Sequence, residues 1–127
     1  MKQIIQTDNA PAAIGLYSQA VKAGNHIYIS GQIGLDPKTM NLVSDDIRPQ
    51  ITQVFENIKA IVEAAGASLS QVVKLTVFML DLAHFPAVNE IMAEYFVQPY
   101  PARAVVGVSA LPKGAQIEAD AILLLDH

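Results

Sequence analysis

Arg103 and Glu118 are the residues whose types point most directly to chemistry on a small anion. A guanidinium presents paired N–H donors that match the two oxygens of a carboxylate, and a glutamate can position a water or take its proton. Both fall in the stretch YPARAVVGVSALPKGAQIEADAILLL, Tyr100 to Leu125, which reads as two antiparallel strands turned at Leu111-Pro112-Lys113-Gly114. Side chains alternate between the two faces of a strand. Arg103, Val105 and Gly107 therefore share one face, and Gln116, Glu118 and Asp120 share a face of the returning strand. The expectation is that cation and carboxylates converge on one side of the sheet. Two readings stay open here. One is a cross-strand ion pair of Arg103 with Glu118 or Asp120. The other is a carboxylate clamp, with Glu118 handling a water beside it and kept ionised by the neighbouring Arg.

Other polar groups say less by themselves. Ser30 has no base in sight and reads as a strand hydroxyl bonded to backbone, while Tyr17 and Asn89 read as ordinary loop and helix residues. His26, His84 and His127 lack metal-ligand spacing, and a chain without cysteine has no thiolate nucleophile, disulfide or Cys-ligated zinc. The segment GVSAL around Ser109 lacks the last glycine of a nucleophile elbow. GQIG, Gly31 to Gly34, has neither a dinucleotide-binding pattern nor the basic surroundings of an RNA-gripping loop. No metal and no cofactor are expected.

The elements that must hold these groups follow from apolar spacing. Lys2 to Gln6 reads as a short strand and Thr7 to Gly15 as a loop; Ser18 to Lys22 and His26 to Ile33 read as a hairpin turned at Ala23-Gly24-Asn25, with Tyr28, Ser30 and Gln32 on one face. After a turn at Asp36-Pro37-Lys38-Thr39, Asp46 can cap a helix with Pro49 in its first turn. Ile47, Ile51, Val54, Ile58, Ile61, Val62 and Ala65 supply its apolar stripe, and Gly66 its end. Val72 to Leu80 is apolar on both faces and predicts a buried strand. Phe85, Val88, Met92, Tyr95 and Phe96 predict a second helix, stopped by Pro99 and Pro101. The whole is an α+β sheet with two helices packed on one face. Ile122 and Leu124, together with Val105, then fall on an uncovered apolar face, which predicts a symmetric homo-oligomer.

The totals agree with a single domain over residues 1–127: the chain is 52% hydrophobic and 16% charged. A formal net charge of −4 argues against a general nucleic-acid footprint. The start, MKQIIQTDNA, is too polar for a signal peptide, and no apolar run approaches a membrane span, so the expected location is the cytoplasm.

The segments NAPAAIGLYSQAV, IYISGQIGLDPKT, FENIKAIVEAAGAS, VVKLTVFMLDLAHFPAVN, YPARAVV and LPKGAQIEADAI together resemble the RidA/YjgF family of reactive-intermediate, or enamine/imine, deaminases over nearly the whole length. The resemblance implies a chorismate-mutase-like α+β subunit in a homotrimer with three sites in clefts between subunits. It implies hydrolysis of 2-iminopropanoate and 2-iminobutanoate, with their enamine tautomers, to 2-oxo acids and ammonia; such imines are released by PLP-dependent serine and threonine dehydratases. By position, Arg103 matches the family's carboxylate-binding Arg and Glu118 its water-handling Glu. Tyr17, Ser30 and Asn89 match other pocket residues, with the Gly31 carbonyl and the Val105 amide as backbone contacts. Two positions depart from the pattern: Val105 stands where many bacterial members have Cys, and Leu16 where they have Pro before the Tyr. Some members are described as endoribonucleases or translation inhibitors, and a ligand-binding or chaperone-like trimer without catalysis is a third reading. The acidic charge and the lack of a histidine pair or an aromatic stacking platform argue against RNA.

Overall fold

The computed structural model describes residues 1–126; His127 lies outside the described residues. The apolar stripe read from the sequence forms a long helix α1, Ile47–Ala64, which buries Ile51, Val54, Phe55, Ile58, Ile61 and Val62. Asp46 occupies its N-cap position with extended backbone, although the side chain makes no capping bond. At the other end Gly66 takes φ +76°, which lets its N–H reach the Glu63 carbonyl while the Ala67 N–H reaches the Val62 carbonyl. That pair of bonds is the Schellman closure, for which a residue without Cβ is best suited.

Around α1 lie the strands β1 Lys2–Ile5, β2 Ala20–Ala23, β3 His26–Ile33, β4 Val72–Met79, β5 Ala102–Gly107 and β6 Ile117–Leu124, with a second helix α2, Phe85–Met92. They form one sheet in the order β1-β2-β3-β6-β4-β5. β6 is inserted between β3 and β4, antiparallel to both, and β5 runs parallel to β4 on its far side. Parallel neighbours need a crossover connection, which α2 supplies. The expected α+β architecture with two helices is therefore observed.

The topology corrects the expected pairing of the last two strands. β5 and β6 are separated by β4, so no hairpin joins them. Leu111 to Gly114 instead carry a short 3-10 turn, Pro112–Gly114, in the connection that leads the chain past β4. Two smaller differences follow the same elements: β2 begins at Ala20 rather than Ser18, and the regular part of α2 ends at Met92, whose carbonyl then accepts from Tyr95 and Phe96 in further turns.

Reading along the registers assigns the faces. Ile29, Ala121, Leu75 and Arg103 lie in one row, and Ala119, Val77 and Val105 in the next. Apart from Arg103 and Val105 on the edge strand, these side chains are buried on the helix side. On the opposite, open face Tyr28, Ile122 and Lys74 form one row and Glu118, Phe78 and Val106 another. Ile122 and Leu124 do face the uncovered side, Leu124 being 40% exposed. Val105 does not: it packs against the main core on the helix side. Phe55, 1% exposed, anchors that core against the rings of Tyr95 and Phe96 at 5.5 and 5.9 Å, and its burial contributes roughly 1.5–3 kcal/mol.

Buried amides fasten the loops that matter below. Gln19 accepts from the Thr7 N–H and donates to the carbonyls of Thr7, Ala10 and Pro11, which fixes the loop ahead of Tyr17. Asn57 donates to the Ile33 and Leu35 carbonyls and so holds the end of β3 against α1. Losing either amide would cost about 1–3 kcal/mol for each buried backbone group left without another partner.

Candidate functional site

Arg103 stands on the edge strand β5 and leans on α2. Its Nη1 donates to Asn89 Oδ1 at 2.6 Å and points to Met92 Sδ at 3.6 Å, while Cζ lies 4.9 Å from the centre of the Phe85 ring. Residues 85, 89 and 92 fall on one face of a helix, so a single stripe of α2 supplies a π face, a carbonyl acceptor and a soft sulfur to one guanidinium. Asn89, Met92, Tyr100, Pro101 and Arg103 line a cleft of about 450 Å³.

Glu118 stands on the other side of the sheet. It lines a second cleft, of about 500 Å³, with Tyr17, Gly31, Gln32, Met40 and Lys113 among its neighbours. The floor of this cleft is made by a bulge in β3. Ile29 pairs with Ala121 and Gln32 with Ala119, so one extra residue is accommodated at Ser30-Gly31 and the alternation expected from Tyr28 through Ser30 to Gln32 is interrupted. The Ser30 N–H donates to the Gln19 carbonyl and its hydroxyl to the Ser18 carbonyl at 2.6 Å, the backbone-satisfied state read from the sequence. Gly31 lies so close to the Glu118 carboxylate that a Cβ there would overlap it. Tyr17 Oη accepts from the Ile14 N–H at 3.4 Å, across a turn in which Gly15 takes φ +116°. Lys113 donates to the Met40 carbonyl at 3.0 Å, and both residues have positive φ.

Burial and then the Asp120 carboxylate on the same face hold the Glu118 carboxyl above the usual carboxylate range. Asp120 is itself raised by burial, against the opposing pull of a Thr76 hydrogen bond and of Lys74. The expectation that Arg103 keeps Glu118 ionised is thus corrected within the chain. The two groups occupy opposite faces because β4 intervenes and the rows of β5 and β6 are set by it.

The structure therefore sorts the sequence-level candidates into two groups. Arg103 and Asn89 come together with Val105 two residues along the same face of β5; Tyr17 and Gly31 gather with Glu118, while Ser30, in the bulge beside Gly31, spends its hydroxyl on the Ser18 carbonyl. The sequence pattern gives Phe85 and Met92 only as apolar helix positions. Their spacing from Asn89 is the signal that marks them as neighbours of the cation. Among the described residues no group of three or more His, Asp and Glu side chains is gathered as for a metal ion, and no helix is long and apolar enough to cross a membrane.

The model of the family described as endoribonuclease L-PSP matches residues 7–124. The chain belongs to that family, the RidA/YjgF family. This RidA/YjgF chain is 48% identical over 125 residues to the 2-iminobutanoate/2-iminopropanoate deaminase of Dermatophagoides farinae, covering 98% of each protein. Among solved structures it is similar to RidA from an Antarctic Psychrobacter, with a TM-score of 0.93 and 57% identity over 97% of this chain and 99% of that one. It is also similar to E. coli TdcF with bound serine, with a TM-score of 0.91 and 41% identity over 96% and 98%.

Proposed function

We propose that the chain hydrolyses short 2-imino acids, 2-iminopropanoate and 2-iminobutanoate with their enamine tautomers, to 2-oxo acids and ammonia, in a site completed by a second copy of the chain. The observation that carries the reading is the placement of Arg103 and Glu118 on opposite faces of one sheet. A substrate held by one and attacked from the other needs the Arg103 cleft of one copy set against the Glu118 cleft of the next. The apolar open face around Ile122, Leu124 and Tyr28 suits that association, and a closed homotrimer is the assembly proposed. The name of the Dermatophagoides relative and the amino acid bound by TdcF support the substrate class.

In this reading the Arg103 fork grips the substrate carboxylate, which orients the imine carbon toward Glu118. Glu118 takes a proton from a water as its oxygen bonds to that carbon, forming a carbinolamine. It returns that proton to the nitrogen, completing the amino group, and then passes the hydroxyl proton to the same nitrogen as the C=O bond forms and the C–N bond breaks, so that a 2-oxo acid and ammonia leave. A carboxyl held above the usual carboxylate range by burial suits this exchange, since it keeps a transferred proton more firmly than an ordinary carboxylate before passing it on. Imines hydrolyse readily, so orientation and one carboxyl are sufficient; each tenfold in rate needs about 1.4 kcal/mol.

The test couples a threonine dehydratase to the protein with semicarbazide present. Wild type is expected to suppress semicarbazone formation, and Arg103→Ala and Glu118→Gln to lose the effect. A folded Glu118→Gln that binds 2-oxobutanoate and turns over at full rate would remove Glu118 from the mechanism. A folded wild type without effect would turn attention to the RNA-directed activity named in the family description, read by salt-sensitive RNA binding.

A further inference from the structure

A guanidinium can grip a carboxylate end-on, through Nη1 and Nη2, or side-on, through Nε and Nη2. In this structure the first option is already taken up by the protein. Nη1 carries two hydrogens and has two partners, Asn89 Oδ1 and Met92 Sδ, and among the described residues neither Nε nor Nη2 has one. The Phe85 ring lies against the guanidinium carbon and limits how far the plane can turn. Met92 is 7% exposed and Phe85 half-buried, so the stripe is fixed by its own packing.

We infer that Phe85, Asn89 and Met92 form a seat that commits Arg103 to a side-on grip, with Nε–H and Nη2–H as the two donors to the substrate carboxylate. The inference rests on the carboxylate-clamp reading above and adds to it the donor atoms and the positioning residues. Phe85 and Met92 act through Arg103. Locking the plane also explains how an arginine on an exposed edge strand can serve as a precise fork: freedom that ligand binding would otherwise remove has been lost beforehand. The approach of a planar carboxylate is then confined to the plane of the guanidinium, on the side away from Asn89.

The experiment titrates 2-oxobutanoate into the assembled protein carrying 15N-labelled arginine, with wild type, Arg103→Ala, Phe85→Leu and Phe85→Tyr compared. The Arg103 Nε–H resonance is expected to shift on binding. Phe85→Leu, similar in size but without a π face, is expected to weaken binding about two- to fivefold, while Phe85→Tyr keeps it. In turnover the Phe85→Leu loss is expected in KM with kcat held. Asn89→Ala, at an exposed helical position, provides a second variant should Phe85→Leu fail to fold, and is expected to weaken binding as well. If wild type does not bind, or Arg103→Ala binds as tightly, the clamp reading falls and the seat with it. If Arg103→Ala abolishes binding but the Nε–H resonance stays still, or if folded Phe85→Leu binds like wild type, the clamp stands and the seat alone is overturned.

Discussion

On the helix side of the sheet a cation is held by three uncharged partners from one helix; on the open side two carboxylates share β6, both raised by burial and Glu118 further by Asp120. Were Arg103 and Glu118 neighbours across a hairpin, they would neutralise one another and present little to a ligand. With β4 between their strands and their side chains on opposite faces, each keeps its unspent donors or acceptors for something from outside the chain. The difference teaches that strand order, more than residue type, decides whether a charged pair is a structural bridge or two halves of a binding site.

The comparison can be broken most directly by mixing. Arg103→Ala and Glu118→Gln are each expected to lose at least about a hundredfold in turnover, the usual scale for removing a positioned acid–base group. Assembled together, they should regain about a quarter of the wild-type sites, the chance that two adjacent copies contribute one intact half each. The semicarbazone assay reads this, and no regain would mean that both groups must come from one chain.

A second effect, up to about a hundredfold, is expected from Gly31→Ala, because its Cβ would displace the Glu118 carboxylate by a distance that catalysis does not tolerate. The backbone at Gly31 lies outside the positive-φ region, so the melting temperature should barely change. A folded Gly31→Ala with wild-type kcat would show that the contact with Glu118 is incidental.

The smallest effect is on stability. The folded-state pKa of Glu118 lies above its unfolded value, so within that window the folded chain holds a proton that the unfolded chain has released. Stability therefore falls as pH rises from the ordinary carboxylate range through the raised value, and the deficit persists above it. Glu118→Gln should be more stable than wild type at neutral pH, with the advantage shrinking on acidification. Urea midpoints at about pH 4 and about pH 7 test this, and equal differences at the two would contradict it.

Local signals in the sequence carried far. The stripe from Ile51 to Val62, the N-cap position of Asp46 and the closing Gly66 are all set by neighbours within a few residues, and α1 forms where they say. The alternation along β5 was also legible, since Arg103, Val105 and Gly107 do share a face. Which face it is was not, because that depends on β5 adding parallel to β4 rather than folding back on β6. Turn residues such as Leu111-Pro112-Lys113-Gly114 suit a hairpin and a longer connection equally well. The bulge at Ser30-Gly31 leaves no mark in composition either, as it is fixed by pairing with a strand near the other end of the chain. Of the candidate site, residue types and the resemblance supplied the members; only the register separated them into two groups.

The crossover that places α2 between β4 and β5 has a further consequence for how the molecule assembles. Arg103 and Asn89 are 14 residues apart in sequence, so the cation and its seat close a short loop. Gly31 and Glu118 meet only after a loop roughly six times longer has closed, at an added entropic cost of about 1.6 kcal/mol. The helix and edge strand thus make a local unit, whose contacts can form early and survive transplantation to another sheet. The carboxylate's surroundings come into being only when the two ends of the chain have found each other.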